Sequence, residues 1–105
     1  MPKLYEYLGM VLFFYSNEHE PIHIHAKYAG KESKAEIHFL NGKVSQIVLK
    51  DKGQGLEPSK RKDFEEFVIV YAEEIVEKRV DYFVKKKSIS TKIVTKKVKN
   101  VRNTR

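Results

Sequence analysis

The first half of the chain alternates between apolar and polar residues over short runs, a pattern typical of β-strands. Gly9 and Asn41-Gly42 are positioned as tight turns between neighbouring runs, and Asn-Gly favours a type I′ hairpin. The pattern therefore predicts about five antiparallel strands. They cover residues 3–8, 10–16, 22–28, 34–40 and 43–50.

After a Gly/Pro-containing loop over 51–58, the apolar spacing becomes helical, with an apolar arc from Phe64 to Phe83 and acidic residues opposite. We expect Ser59 to cap this helix, which would run to Val84 and be about 39 Å long at 1.5 Å per residue. Residues 88–101 fit both a strand and a basic helix, and we favour a short helix. The predicted fold class is α+β, an antiparallel sheet with one long C-terminal helix packed on it and a basic tail.

The length of 105 residues is that of one domain, predicted over 1–84 with the tail over 85–105. Cysteine is absent, no apolar run approaches the roughly 20 residues of a membrane span, and the first residues lack a signal-peptide layout. We therefore expect a soluble cytoplasmic protein with no membrane partner, and we exclude a disulfide-stabilised secreted protein and a large cofactor enzyme.

The positive charge is concentrated in the tail. Overall there are 21 Lys and Arg against 14 Asp and Glu, yet residues 85–105 contain nine of the basic residues and no acidic one. Such asymmetry predicts an arm that binds nucleic acid or another anionic partner, and the alternative is a solvated tail. The candidate contact residues are Lys85, Lys86, Lys87, Lys92, Lys96, Lys97, Lys99 and Arg102.

Candidate chemistry lies in a histidine-rich segment over 17–25. His19-Glu20-Pro21-Ile22-His23 has the letters of the helical H-E-x-x-H zinc motif, but Pro21 disfavours the helix that this motif needs. We therefore reject a metalloprotease site. On a strand, His23 and His25 would instead share one face, about 6.6 Å apart at 3.3 Å per residue.

The apolar faces of the two central strands match if Ala26 pairs with Ala35 across a four-residue loop over 29–32. That register places His25 opposite Glu36 and His23 opposite His38. A two-residue turn at Ala29-Gly30 also preserves the faces but is less favourable, because alanine resists the positive φ that a type I′ turn requires. Both registers bring His23, His25, Glu36 and His38 to one polar surface, which we expect to face solvent.

Three interpretations of this surface remain open. It is a polar sheet face without chemistry, or a metal-free acid–base site on a phosphodiester, or a site for zinc or another divalent ion. The catalytic candidates are His19, His23, His25, His38 and Glu36, with Lys27 or Lys34 stabilising the oxyanion. The metal-binding candidates are His23, His25 and His38, with Glu36 as an alternative ligand.

The stretch from Phe13 to Ala26, followed by Glu32-Ser33-Lys34-Ala35-Glu36, resembles domain-of-unknown-function family 4160, which is found in bacteria and archaea. The family pattern F-[FY]-Y-S-x-[DE]-H-x-P-x-H-[VI]-H is followed by a strand of the type E-A-x-[IFV] and a helix. The resemblance covers about residues 1–84. The family usually has two consecutive prolines at this point, and this chain has Pro21 followed by Ile22 in the second place. Its motif positions fall on Tyr15, Ser16, Glu18, His19, Pro21, His23 and His25. The resemblance implies a second small protein from a neighbouring gene, in a toxin–antitoxin-like arrangement, and implies no particular reaction.

Together these observations favour a toxin–antitoxin-like component whose histidine surface binds or cleaves RNA, with the tail attracting phosphates. The alternative is a non-catalytic module that binds a protein or DNA, in which the histidines are structural or bind a metal. A long exposed edge strand can pair with the same strand of a second copy, so the predicted fold also allows a homodimer.

Overall fold

The computed structural model describes residues 3–15 and 22–98. It contains a single six-stranded sheet, ordered β5-β4-β3-β2-β1-β6, and one long helix. All neighbouring strands are antiparallel except β1 and β6, which are parallel. The α+β prediction is confirmed, and the sheet has one strand more than predicted. The elements are β1 (Lys3–Tyr7), β2 (Met10–Phe13), β3 (Ile22–Tyr28), β4 (Lys31–Leu40), β5 (Lys43–Lys52), α1 (Pro58–Phe83) and β6 (Lys92–Val94).

The core lies between α1 and one face of the sheet, which we call the inner face. Alternation along the strands directs Ile24 and Ile37 into the same buried cluster as Phe64 and Phe67 of α1. Aromatic rings dominate this cluster. The Tyr7 and Phe67 ring centroids lie 4.5 Å apart. Burying a large apolar side chain contributes about 1.5–3 kcal/mol, so these aromatic contacts are a main source of stability.

The helix begins one residue earlier than predicted. Pro58 occupies the first turn and Glu57 is the N-cap, without a side-chain capping hydrogen bond. The prediction of Ser59 as the cap is therefore wrong. Proline fits this position because its φ is already helical and it has no N–H to leave unpaired. The preceding loop is held by Ser33, whose hydroxyl donates to Asp51 at 2.7 Å and accepts from the Leu56 N–H at 3.1 Å.

The turn between β3 and β4 differs from the register we preferred. It contains two residues, Ala29 and Gly30, with φ of 54° and 78°. Ile24 consequently pairs with Ala35, and the predicted pairing of Ala26 with Ala35 is wrong. A left-handed alanine costs about 1–2 kcal/mol. The tight turn lets β4 begin at Lys31, and the additional backbone hydrogen bonds between β3 and β4 offset this cost.

The predicted short helix over 88–101 is wrong for the described part of that segment, which contains β6 and no helix. β6 pairs with the edge of β1, where it satisfies backbone groups that would otherwise be exposed. The Thr91 hydroxyl donates to the Lys3 carbonyl at 3.3 Å, and the Val98 N–H donates to the Tyr7 hydroxyl at 3.0 Å. The residues after the helix are thus attached to the sheet at least as far as Val98.

Within residues 3–15 and 22–98, no helix is both long enough and apolar enough to cross a membrane.

Candidate functional site

The strand alternation that buries Ile24 and Ile37 directs the intervening polar residues to the opposite side of the sheet, away from α1. We call this side the outer face. Cross-strand pairing brings the four strands β2 to β5 together there, because Phe13 pairs with His25, His23 with Glu36, and His38 with Gln46. The predicted grouping of His23, His25, Glu36 and His38 on one face is therefore present.

Glu36 is the centre of the outer face. Its Oε2 lies 3.3 Å from Nε2 of His23 and 3.1 Å from Nζ of Lys50, and its Oε1 lies 3.2 Å from Nε2 of His38. Because a carboxylate accepts only, both rings donate through Nε2. Burial by itself raises the pKa of the Glu36 carboxyl, but hydrogen bonds from Lys50, His38 and His23 outweigh burial and hold that pKa below its usual range.

Exposure separates the members of this network. The side chains of His23 and Glu36 are largely buried, whereas that of His38 is 39% exposed and that of Lys50 is 55% exposed. The Glu36 carboxylate therefore contacts the buried His23 ring on one side and the exposed His38 ring and Lys50 ammonium on the other. A carboxylate that accepts from one ring nitrogen fixes the tautomer and the orientation of an exposed imidazole, as it does in many acid–base and metal sites.

His25 belongs to a second, buried cluster on the same face. Its Nδ1 lies 3.1 Å from Oε2 of Glu32, and the Tyr15 hydroxyl donates to that same oxygen at 3.1 Å. The ring stacks on Phe13 at a centroid distance of 5.5 Å and meets the edge of Tyr15 at 4.4 Å. At 2% exposure, His25 does not face solvent, so our expectation for this ring is wrong. Phe13 and Tyr15 provide an aromatic pocket on the outer face that alternation alone did not reveal.

Lysines surround both clusters. Lys27 lies 3.9 Å from Oε1 of Glu32 and above the Phe13 ring, with its side chain half-exposed. Lys34 pairs across the strands with both His25 and Lys50. The two lysines predicted to stabilise an oxyanion, Lys27 and Lys34, thus lie on the outer face with Lys50, and their oxyanion role stays a prediction.

The predicted metal ligands His23, His25 and His38 share the outer face, and the ring centroids of His23 and His25 are 6.4 Å apart. Among the residues that the structure describes, no group of three or more His, Asp or Glu side chains is arranged to hold a metal ion. Each of the three rings instead contacts a glutamate. Metal binding stays a prediction.

A family described as a domain of unknown function, DUF4160, matches residues 9–78. The chain belongs to this DUF4160 family. No curated protein and no solved structure matches it. The resemblance that the histidine motif predicted is confirmed, and the match includes all four histidines and the greater part of α1.

In this DUF4160 chain, the six described candidate lysines of the tail are all exposed: Lys85, Lys86, Lys87, Lys92, Lys96 and Lys97. Three of them also contact acidic residues of α1. Lys92 lies 3.4 Å from Glu74, Lys97 lies 3.6 Å from Asp63, and Lys85 lies 3.9 Å from Asp81. Lys99, Arg102 and the catalytic candidate His19 lie outside the described residues.

Sequence reasoning about the DUF4160 motif missed two members of the site, Glu32 and Lys50. Glu32 was assigned to a loop, because the four-residue turn removed it from β4. Lys50 reaches Glu36 through the pairing of β4 with β5, whose register shifts at His38 and Phe39. The tight turn would have revealed Glu32, but no local signal marks the irregularity that positions Lys50.

Proposed function

We propose that the outer face binds RNA and that the Glu36 network transfers protons during its cleavage, in the cytoplasm and within a two-gene, toxin–antitoxin-like module. One observation carries this proposal. A single carboxylate holds two imidazoles and an ammonium on the sheet face away from the helix. The module context comes from the family resemblance, whereas the chemistry is argued from the contacts.

His38 is the general base of this proposal. Its Nε2 donates to Glu36, so Nδ1 of the neutral ring has a lone pair, and the side chain is 39% exposed. That nitrogen would accept the proton of a ribose 2′-hydroxyl as the oxygen attacks the adjacent phosphorus. Glu36 holds the ring in the required tautomer and stabilises the positive charge that forms on it.

Lys50 is the general acid, because its ammonium is exposed, whereas the His23 ring is largely buried and positions Glu36 through Nε2. The bond from phosphorus to the 5′-oxygen breaks as the 2′-oxygen attacks, and the leaving oxygen takes a proton from Nζ of Lys50. The products are a 2′,3′-cyclic phosphate and a 5′-hydroxyl. Lys34, the cross-strand partner of Lys50, would stabilise the additional negative charge on the phosphorane oxygens.

The exposed tail lysines would attract RNA independently of sequence. Lys85, Lys86 and Lys87 follow α1 directly and are exposed. Each phosphate that a lysine neutralises releases counterions, so affinity should fall steeply with salt.

The test compares cleavage of an RNA oligonucleotide with that of the same sequence built from 2′-deoxy sugars. We expect the wild type to cleave the RNA alone, and His38→Gln to reduce the rate at least about 100-fold, as for loss of a general base. Gln46→Ala is the matched control, because Gln46 is the exposed cross-strand partner of His38. Equal cleavage of both substrates, or equal rates for His38→Gln and Gln46→Ala, would contradict the assigned role of His38.

The burial of His25 against Phe13 supports a second candidate, a non-catalytic module with structural histidines that binds DNA or a protein. This candidate predicts a wild type that is inert towards RNA and still binds a nucleic acid or a protein through the tail. Deletion of residues 85–105 would then abolish binding, whereas His38→Gln would not change it.

A further inference from the structure

The solvent side of α1 carries apolar side chains where a helix packed on a sheet normally presents polar ones. Among the described residues, six large apolar side chains are exposed. Three of them, Val70, Val80 and Val84, are on α1 or at its C-terminal end, and two, Phe39 and Leu40, are at the end of β4. Five of the six thus belong to two neighbouring elements, which is not the scattered distribution of an ordinary surface.

Two of these side chains, Val70 and Val80, line neighbouring cavities along the helix. A cavity of about 400 Å³ is lined by Val44, Ile69 and Val70 among others, so the β4–β5 hairpin borders the middle of α1. A second cavity of about 380 Å³, lined by Val76 and Val80 among others, lies about one turn further along α1. We call this surface the helix groove, defined by Val44, Ile69, Val70, Val76 and Val80. From Ile69 to its end at Phe83, α1 spans about 21 Å at 1.5 Å per residue, the length of a helix of about 14 residues.

The charge beside the groove is acidic. Glu73 lines the first cavity, and Glu77 and Asp81 line the second. At 100° per residue, these three carboxylates fall within the same half of α1 as Val70 and Val80, opposite the buried Phe64 and Val68. Lys43 and Lys85 lie at the two ends. Any occupant must therefore cover an apolar stripe and also lie against a row of negative charges.

We propose that the helix groove docks an amphipathic helix of another protein, with aliphatic side chains on one face and lysine or arginine beside them. Such a helix would place its aliphatic residues between Val70 and Val80 and its cations against Glu73, Glu77 and Asp81.

The same charges argue against two other occupants. In a two-fold antiparallel packing of two copies centred on Glu77, Glu77 would face its equivalent and Glu73 would face Asp81, which places like charges together. Nucleic acid is disfavoured because its phosphates would meet the same carboxylates. The groove and the outer face lie on opposite sides of the sheet, so this inference does not depend on the proposed RNA chemistry.

The test uses a fluorescein-labelled synthetic helix of about 18 residues, with leucine at i, i+3, i+4 and i+7 positions and lysine elsewhere. A peptide of the same pattern with glutamate for lysine tests charge, and a scrambled leucine–lysine peptide tests amphipathicity. Binding is measured by fluorescence anisotropy. We expect saturable binding of the leucine–lysine helix at least tenfold tighter than that of either control peptide.

Variants locate the binding site. Val70→Lys with Val80→Lys should weaken binding at least tenfold, and Val70→Thr with Val80→Thr, which keeps the side-chain shape, should weaken it several-fold. Ile93→Lys is the matched control, because Ile93 is the exposed large apolar side chain that lies away from the groove on β6. It should change affinity less than twofold. Circular dichroism verifies that each variant is folded.

Three results would overturn the inference. The first is no saturable binding of the leucine–lysine helix to the wild type. The second is the same affinity for the double threonine variant and for Ile93→Lys. The third is a wild type that sediments as a dimer and becomes monomeric in the double threonine variant, which would assign the groove to a second copy of this chain.

Discussion

Replacing Glu36 with glutamine tests whether the outer-face network contributes to stability as its contacts suggest. Glu36 accepts from His23 at 3.3 Å, from His38 at 3.2 Å and from Lys50 at 3.1 Å. His38 and Lys50 are exposed enough for water to screen them, so each contributes at most about 1 kcal/mol. The largely buried contact with His23 contributes about 1 kcal/mol. Glutamine keeps one acceptor oxygen, so we expect Glu36→Gln to lower the free energy of unfolding by about 1–2 kcal/mol near neutral pH.

The pH dependence of this effect provides the sharper test. The pKa of Glu36 is lowered in the folded state, so its contribution to stability is complete above the ordinary value of 4.5. That contribution is lost as the pH falls through the lowered folded-state value, where the wild-type side chain becomes neutral like glutamine. The difference between wild type and variant should therefore shrink towards zero in strong acid.

The assay is urea unfolding followed by far-UV circular dichroism, at about pH 6 and at about pH 3. Glu6→Gln is the control, because Glu6 is an exposed glutamate of β1 in the same sheet. A difference between Glu36→Gln and wild type that is the same at both pH values, or no larger than that of the control, would refute the charge network.

Further predictions concern the turn, the buried ring, the tail and a core tyrosine. Ala29→Asn should raise the free energy of unfolding by about 0.5–1 kcal/mol, because asparagine tolerates the φ of 54° better than alanine does; lower stability in urea would contradict this. His25→Ala should lower the free energy of unfolding by about 2 kcal/mol because this ring is buried, and His38→Ala should lower it by less than about 0.5 kcal/mol because that ring is exposed. Equal decreases in melting temperature for the two variants would contradict this difference in burial. Alanine at Lys85–Lys87 should make the slope of log RNA affinity against log salt concentration shallower by about 1 for each lysine that contacts a phosphate. An unchanged slope would show that these lysines do not contact phosphates. The pKa of the Tyr5 hydroxyl is raised, first by burial and then by its 2.6 Å hydrogen bond to Glu74, so ultraviolet titration should find it still protonated when exposed tyrosines ionise.

The fold was largely predictable because each strand of the first half carries its own period-two pattern and α1 its own helical arc. Asn41-Gly42 predicted the turn between β4 and β5 correctly, since both residues favour a positive φ there. The same reasoning failed at Ala29. Alanine by itself disfavours a positive φ, but the longer ladder between β3 and β4 stabilises this conformation. β6 was missed for a related reason. Three residues carry little periodicity, and their strand conformation depends on the edge of β1, which is distant in sequence.

The grouping of the histidines was predictable from strand parity, but their exposure was not. Parity places a side chain on a face and does not say what covers it there. Phe13 reads as core in an apolar run, yet it lies on the outer face and stacks on His25. The separation of one buried ring from one exposed ring therefore required three-dimensional contacts. Glu36 could be placed beside the histidines from sequence, whereas Lys50 could not.

The most direct test of the account is an NMR titration of the isotope-labelled chain with a short single-stranded RNA, following the imidazole resonances together with the valine methyl groups. We predict the largest shifts at the rings of His38 and His23, and little change at the methyl groups of Val70 and Val80 on the opposite side of the sheet. Shifts that concentrate on those methyl groups, or the absence of any shift at the two rings under saturating RNA, would contradict the assignment of the outer face as the RNA site.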